Sequence, residues 1–166
     1  MRKVLFIFGQ LSDADVEWLA KHGRRRRVAK STVLITQGVK VESLYIVLEG
    51  ELAVLQGASR KEIARLGAGE IAGEMSFVDA RPPSATVTAA ADSVVYTIPT
   101  RTLGEALEKN PGFAARFYKS VATFLSDRLR NATDADYDDE LDDSVLDNVD
   151  RAGARFNMLS RQVQDG

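Results

Sequence analysis

The hydrophobic and polar positions along this chain change period twice. In "LSDADVEWLAKHG", Val16, Leu19 and Ala20 recur at helical spacing, which predicts an amphipathic helix. Ser12 is placed to cap it, Asp13 and Asp15 suit its positive end, and Gly23 suits its stop. From residue 24 to residue 99 short β-branched runs alternate with Gly, Asp and Ser turns: "RRRRVAK", "STVLITQG", "SLYIVLEG", "ELAVLQGA", "KEIARLGAG", "SATVTAAAD" and "SVVYTIP". Short strands at this spacing predict a sandwich or barrel. "LYIVLEGELAV" reads as the clearest hairpin, with Glu49-Gly50 at its turn. The segment after Gly73 lacks alternation and reads as a short helix and loop inside the β region.

After Pro99 the period becomes helical again. "TRTLGEALEKN" predicts a short helix ending before Pro111, and "PGFAARFYKSVATFLSDRLRNA" a longer one with Pro111 at its start. Phe113, Phe117, Val121, Phe124/Leu125 and Leu129 form its apolar stripe. An acidic linker is expected over residues 131–143, since residues 134–143 hold seven acids and no base. A last helix is expected over 144–163, where Val145, Val149, Ala152, Phe156, Leu159 and Val163 follow a heptad spacing. That seam can close on its own domain, on a second copy or on a partner helix, because a heptad helix of this length is marginal alone.

Composition narrows the function classes. The 166 residues, 45% hydrophobic and 28% charged, fit one compact domain over 11–130 with a helical appendage. With no cysteine and one histidine, disulfides, thiolate metal sites and histidine clusters are excluded. The acidic run lacks the glycine and spacing of a calcium loop. A net charge of −2 argues against general nucleic-acid binding. The run "RRRR" at 24–27 splits its charges between two strand faces and carries no interleaved aromatics for base stacking. No apolar stretch approaches a membrane span, and Val4 to Phe8 is too short for a signal-peptide core. A cytoplasmic location is expected. No catalytic set can be assembled, since His22 sits near a helix end, and "GAGEIAG" lacks the Gly-Lys-Ser/Thr of a phosphate loop.

The remaining chemistry lies in "GEMSFVDARPPSATVTA", residues 73–89. Gly73 lets a ligand approach the backbone closely, and a helix starting after it aims N–H groups at an anion. Glu74 can accept hydrogen bonds from sugar hydroxyls, Ser84 and Thr86 bring hydroxyls, and the Ala85 amide is a further donor. Together they suit a ribose-phosphate unit; the alternative reading is a barrel corner with a helical plug.

The chain resembles the cyclic nucleotide-binding domain family from about residue 11 to 129. "VLITQG", "SLYIVLEGELAV", "LGAGEIAGEMSFVDARPPSATVTA" and the helix after Pro99 fall in the family's order. The resemblance implies a mainly β fold with flanking helices: an eight-stranded jelly-roll (β-roll), a short N-terminal helix, a phosphate-binding cassette and C-terminal helices. It assigns Gly73 to the phosphate-sugar contact, Glu74 to the ribose 2′-hydroxyl, Met75 and Ser76 to the Leu-Ala positions, and Ser84 and Ala85 to the residues after the cassette arginine. The arginine itself falls on Pro83. Losing that charge-assisted pair costs about 2–5 kcal/mol in a desolvated site, or one to four decades of affinity at roughly 1.4 kcal/mol per decade, and proline offers no N–H instead. Arg81 lies two residues earlier, on the same side of an extended segment, and can enter the pocket from a shifted base or point to solvent.

Two functions follow from this. One is a stand-alone sensor, of the bacterial kind without a helix-turn-helix, that binds cAMP, cGMP or another cyclic nucleotide and signals through its C-terminal helices to a second copy or a partner. The other is a ligand-free docking or dimerisation module with a degenerate pocket. No cofactor, metal or membrane partner is expected, and no DNA either, because residues 131–150 contain no Lys or Arg for a duplex.

Overall fold

The helix expected first forms as Asp13–His22 (α1). Ser12 caps it reciprocally: its hydroxyl accepts from the Asp15 N–H at 3.2 Å, and Asp15 accepts from the Ser12 N–H at 2.8 Å. This computed structural model describes residues 7–133 and 143–166, the side chains of 143–149 excepted. Eight strands follow α1: Arg24–Val28 (β1), Val33–Ile35 (β2), Ser43–Glu49 (β3), Leu52–Gln56 (β4), Lys61–Leu66 (β5), Ile71–Ala72 (β6), Thr86–Ala89 (β7) and Ser93–Pro99 (β8). A short helix, Glu74–Asp79 (α2), interrupts them after β6. Thr100–Lys109 (α3), Pro111–Thr133 (α4) and Asp143–Gln162 (α5) come next, then a two-residue strand, Gln164–Asp165 (β9). One sheet runs β6-β3-β8-β1-β9 and the other β2-β7-β4-β5. All pairs are antiparallel except β9 beside β1. The fold is mainly β with flanking helices, as the sequence implies.

The hairpin expected in "LYIVLEGELAV" does not form. β3 pairs with β6 and β8, whereas β4 pairs with β5 and β7. Gly50 is a corner that carries the chain from one sheet to the other. It holds φ +85°, and a Cβ there would overlap the Ser93 side chain, so both its conformation and its neighbour require glycine.

Burial on both faces explains why β3 and β8 read as continuous apolar runs. Leu44, Ile46, Leu48, Val94, Tyr96 and Ile98 face the helices, in one cluster with Val16 and Leu19 of α1 and Phe113, Phe117, Val121 and Phe124 of α4. The alternating positions Tyr45, Val47 and Val95 face the second sheet, against Leu52, Val54, Leu66 and Val87. The two cores thus share β3 and β8 as a common wall.

The heptad seam closes on its own domain. Ala152, Leu159 and Val163 are buried in the helix-side core, and Phe156 packs against it with an edge-to-face contact on Phe8 at 5.6 Å. Arg155 Nε donates to Asp13 Oδ1 at 2.9 Å and its Nη1 to the Phe8 carbonyl at 3.0 Å. Arg25, from the arginine run, donates to the Ser160 carbonyl and to Glu49, while its neighbours Arg24, Arg26 and Arg27 are exposed. The side chains of Val145 and Val149 lie outside the described residues, as does most of the expected acidic linker; residues 131–133 continue α4 and Asp143 begins α5.

Candidate functional site

The chain leaves β6 through Gly73, whose φ is +92° and whose added Cβ would stand 3.2 Å from the Ser43 carbonyl oxygen. Only glycine adopts this conformation without strain while the backbone passes so close. The turn starts α2 with Glu74, whose side chain is 4% exposed. Met75 and Ser76 follow, and Ala80 ends the helix in the left-handed region, its N–H bonded to the Ser76 carbonyl. The Pro83 carbonyl accepts from the Gly38 N–H at 2.9 Å and so pins the proline pair to the β2 side of the roll.

Between α2, the four-stranded sheet and the far end of α4 lies a cavity of about 490 Å³, within the size range of small-ligand sites. Its inner wall is apolar: Ile35, Val54, Ile63, Leu66, Ile71 and Val87. Gly73, Glu74, Met75, Ser76, Arg81, Ser84 and Ala85 also line it, so seven of the eight residues expected from the sequence come together here. Thr86 does not; its hydroxyl accepts from the Gln37 N–H at 3.0 Å and braces the neighbouring loop. Arg81 stands at the rim. Its side chain is 83% exposed with Nε 3.8 Å from Asp79 Oδ2, and its backbone N–H donates to Asp79 Oδ1.

The third wall comes from α4, through Leu125, Arg128 and Leu129. Arg128 Nη1 donates to Glu74 Oε1 at 3.3 Å, and its guanidinium lies 5.3 Å from the centre of the Phe124 ring. Burial pushes the Glu74 carboxyl above its ordinary pKa; its own backbone N–H and the Arg128 charge act against this, and the Glu70 carboxylate adds to it. Arg128 is not among the residues expected from the sequence. A signal for it exists: Val121, Phe124/Leu125 and Arg128 continue one helical face, so a cation stands where the apolar stripe turns toward the roll.

A two-sheet roll with a glycine-led cassette and a helix laid across its mouth defines a class of domain, the β-roll with an inserted cassette. A family profile, the cyclic nucleotide-binding domain, matches residues 25–110. That is more than half of the chain, which belongs to this family. The cAMP-activated global transcriptional regulator CRP of Salmonella typhimurium is 29% identical over 118 residues, 69% of this chain and 56% of the regulator. A cAMP-dependent protein kinase regulatory subunit of Mucor circinelloides is 24% identical over 142 residues, 80% of this chain and 33% of that protein. The crystal structure of a cyclic nucleotide-binding domain from Methylobacillus flagellatus superposes with a TM-score of 0.71 at 24% identity, covering 86% of this chain and 85% of that one. The chain thus spans about half or less of the length of these two curated relatives. Among the described residues no helix is long and apolar enough to cross a membrane.

Proposed function

We propose that this chain is a sensor module that takes a cyclic nucleotide into the cavity beside Glu74 and reports occupancy through α4. The observation that carries the reading is the buried Glu74 carboxylate, held at the wall of a cavity of about 490 Å³ with Gly73, Ser84 and Ala85 around it. A desolvated carboxylate gains most from a hydroxyl donor, which a ribose supplies. The apolar wall suits a base, and Ser84 with the Ala85 amide suits a phosphate. The role in this reading is regulatory: in the cavity Glu74 is paired with Arg128 and Arg81 with Asp79. A cytoplasmic, dimeric or partner-bound state belongs to the same reading.

Isothermal calorimetry of the purified chain with cAMP and cGMP tests it. Binding is expected, weaker than in a pocket with the cassette arginine, and Glu74→Ala lowers the affinity at least tenfold. Unchanged affinity in that variant overturns the site assignment. The second reading, a ligand-free docking module, draws on Pro83 at the arginine position and on Arg81 turning to Asp79 at the rim. It is supported if no nucleotide binds.

A further inference from the structure

We infer that Arg128 is the anion receptor of this pocket, supplying from α4 the positive charge that the cassette lacks. The inference rests on the sensor reading above and names the group that meets the phosphate.

The cassette lacks a positive charge at position 83. An anionic ligand entering a cavity walled by Ile35, Val54, Leu66 and Val87 loses hydration and needs a cation to replace it. The cassette offers prolines at 82 and 83, which donate nothing from their backbone. Two cations line the cavity, Arg81 and Arg128. Arg81 is 83% exposed and loosely held by Asp79, so water screens it at the rim. Arg128 is 32% exposed, half sheltered by Phe124, where charge acts through a lower effective dielectric.

The manner in which Arg128 is held also suits exchange. Arg116, on the same helix, grips Asp15 with two hydrogen bonds, Nε at 2.6 Å and Nη2 at 2.9 Å. Arg128 meets Glu74 through Nη1 alone, at 3.3 Å. Among the described residues its other N–H groups have no hydrogen-bond acceptor, and a guanidinium can offer them in parallel to a phosphate. The contact with Glu74 keeps Arg128 aimed at the cavity while it is empty. A cyclic nucleotide satisfies both ends of the pair at once: its sugar hydroxyl donates to Glu74 and its phosphate accepts from Arg128. The pair dissolves into the ligand, so neither charge is left buried alone.

The test compares a charged and an uncharged probe on the full chain. Affinities for cAMP and for adenosine are measured by calorimetry for the wild type, Arg128→Gln, Arg128→Lys, Arg81→Gln, and Arg128→Gln combined with Pro83→Arg, with circular dichroism melts checking that each variant is folded. Arg128→Gln is expected to weaken cAMP at least tenfold and adenosine less than threefold. Arg128→Lys is expected to recover part of the loss, Arg81→Gln to change cAMP affinity less than threefold, and Pro83→Arg to restore binding in the Gln background. Equal weakening of both probes, or cAMP binding by Arg128→Gln as tight as or tighter than wild type, overturns the inference while the sensor reading stands. Absence of binding by the wild type overturns both.

Discussion

At the scale of single residues, Glu74 is the clearest conflict between stability and use. Its burial raises its pKa, against its backbone hydrogen bond and the Arg128 charge. The folded protein therefore binds that proton more tightly than the unfolded chain does, so ionised Glu74 costs stability above the ordinary carboxylate pKa of about 4.3. The cost fades as pH falls through the raised folded value. Glu74→Gln is expected to raise the melting temperature of the ligand-free protein at pH 7, and the gap to wild type to narrow as the pH is lowered toward 4. A melt series in which Glu74→Gln is less stable than wild type at pH 7 counts against this. Arg128, one-third exposed, can hydrate once its partner is neutral. A group that destabilises the empty state is what an unfilled binding site is expected to hold.

At the scale of elements, α4 is tied at both ends. Asp15 of α1 is buried, and burial alone raises its pKa. The Arg116 hydrogen bond, the Ser12 backbone and hydroxyl bonds and the Arg116 charge together outweigh that, and the net shift is downward. The stability this supplies is present above the unfolded value of about 3.9 and is lost as pH falls through the lower folded one. Arg116→Ala is expected to cost about 1–3 kcal/mol near neutral pH, the scale of hydrogen bonds to a charged group. Urea titrations should show the two proteins converging in acid; a constant difference down to pH 2 excludes the pairing as its source. Much at this scale was legible in the sequence. The Ser12 cap, the helix after Gly73 and the stripe of α4 as far as Phe124 follow from local spacing and appear where expected, whereas Leu129, the last of the expected stripe, is 67% exposed. Gly50 shows where local reading stops. A hairpin turn and an inter-sheet corner both ask for glycine at positive φ, and only burial of β3 on two faces, a long-range fact, separates them. Arg128 and Glu74 are 54 residues apart, so no window of sequence joins them, whereas the cassette is contiguous and a single stretch names the residues that line the cavity.

At the scale of the whole molecule, α5 completes the helix-side core rather than standing free. From Ala152 to Val163 the heptad spacing marks a packed seam, but a seam cannot say which surface it meets. Leu159, Val163 and Ala152 are buried against Val16, Leu19 and their neighbours, and large aliphatic side chains contribute about 1.5–3 kcal/mol each on full burial. Removing residues 143–166 is expected to lower the melting temperature by well over 10 °C and to uncover an apolar surface that binds a hydrophobic dye. Light scattering should show the truncated chain self-associating more than the full one; a truncation with unchanged melting and mass means that α5 does not hold this place in solution.

In the proposed sensor, the two arginines of α4 give that helix a pivot and a tip. Twelve residues separate Arg116 from Arg128, about 18 Å at a rise of about 1.5 Å per residue. With Arg116 clamped on Asp15 by two bonds, a tilt of about 10° about that point swings the tip by about 3 Å, the geometry of a rigid rod of that length. That displacement matches the length of the 3.3 Å contact between Arg128 and Glu74. Val121 and Phe124 lie between pivot and tip in the helix-side core, so the same tilt shifts Phe124 by about 2 Å and unlatching is coupled to repacking of that core.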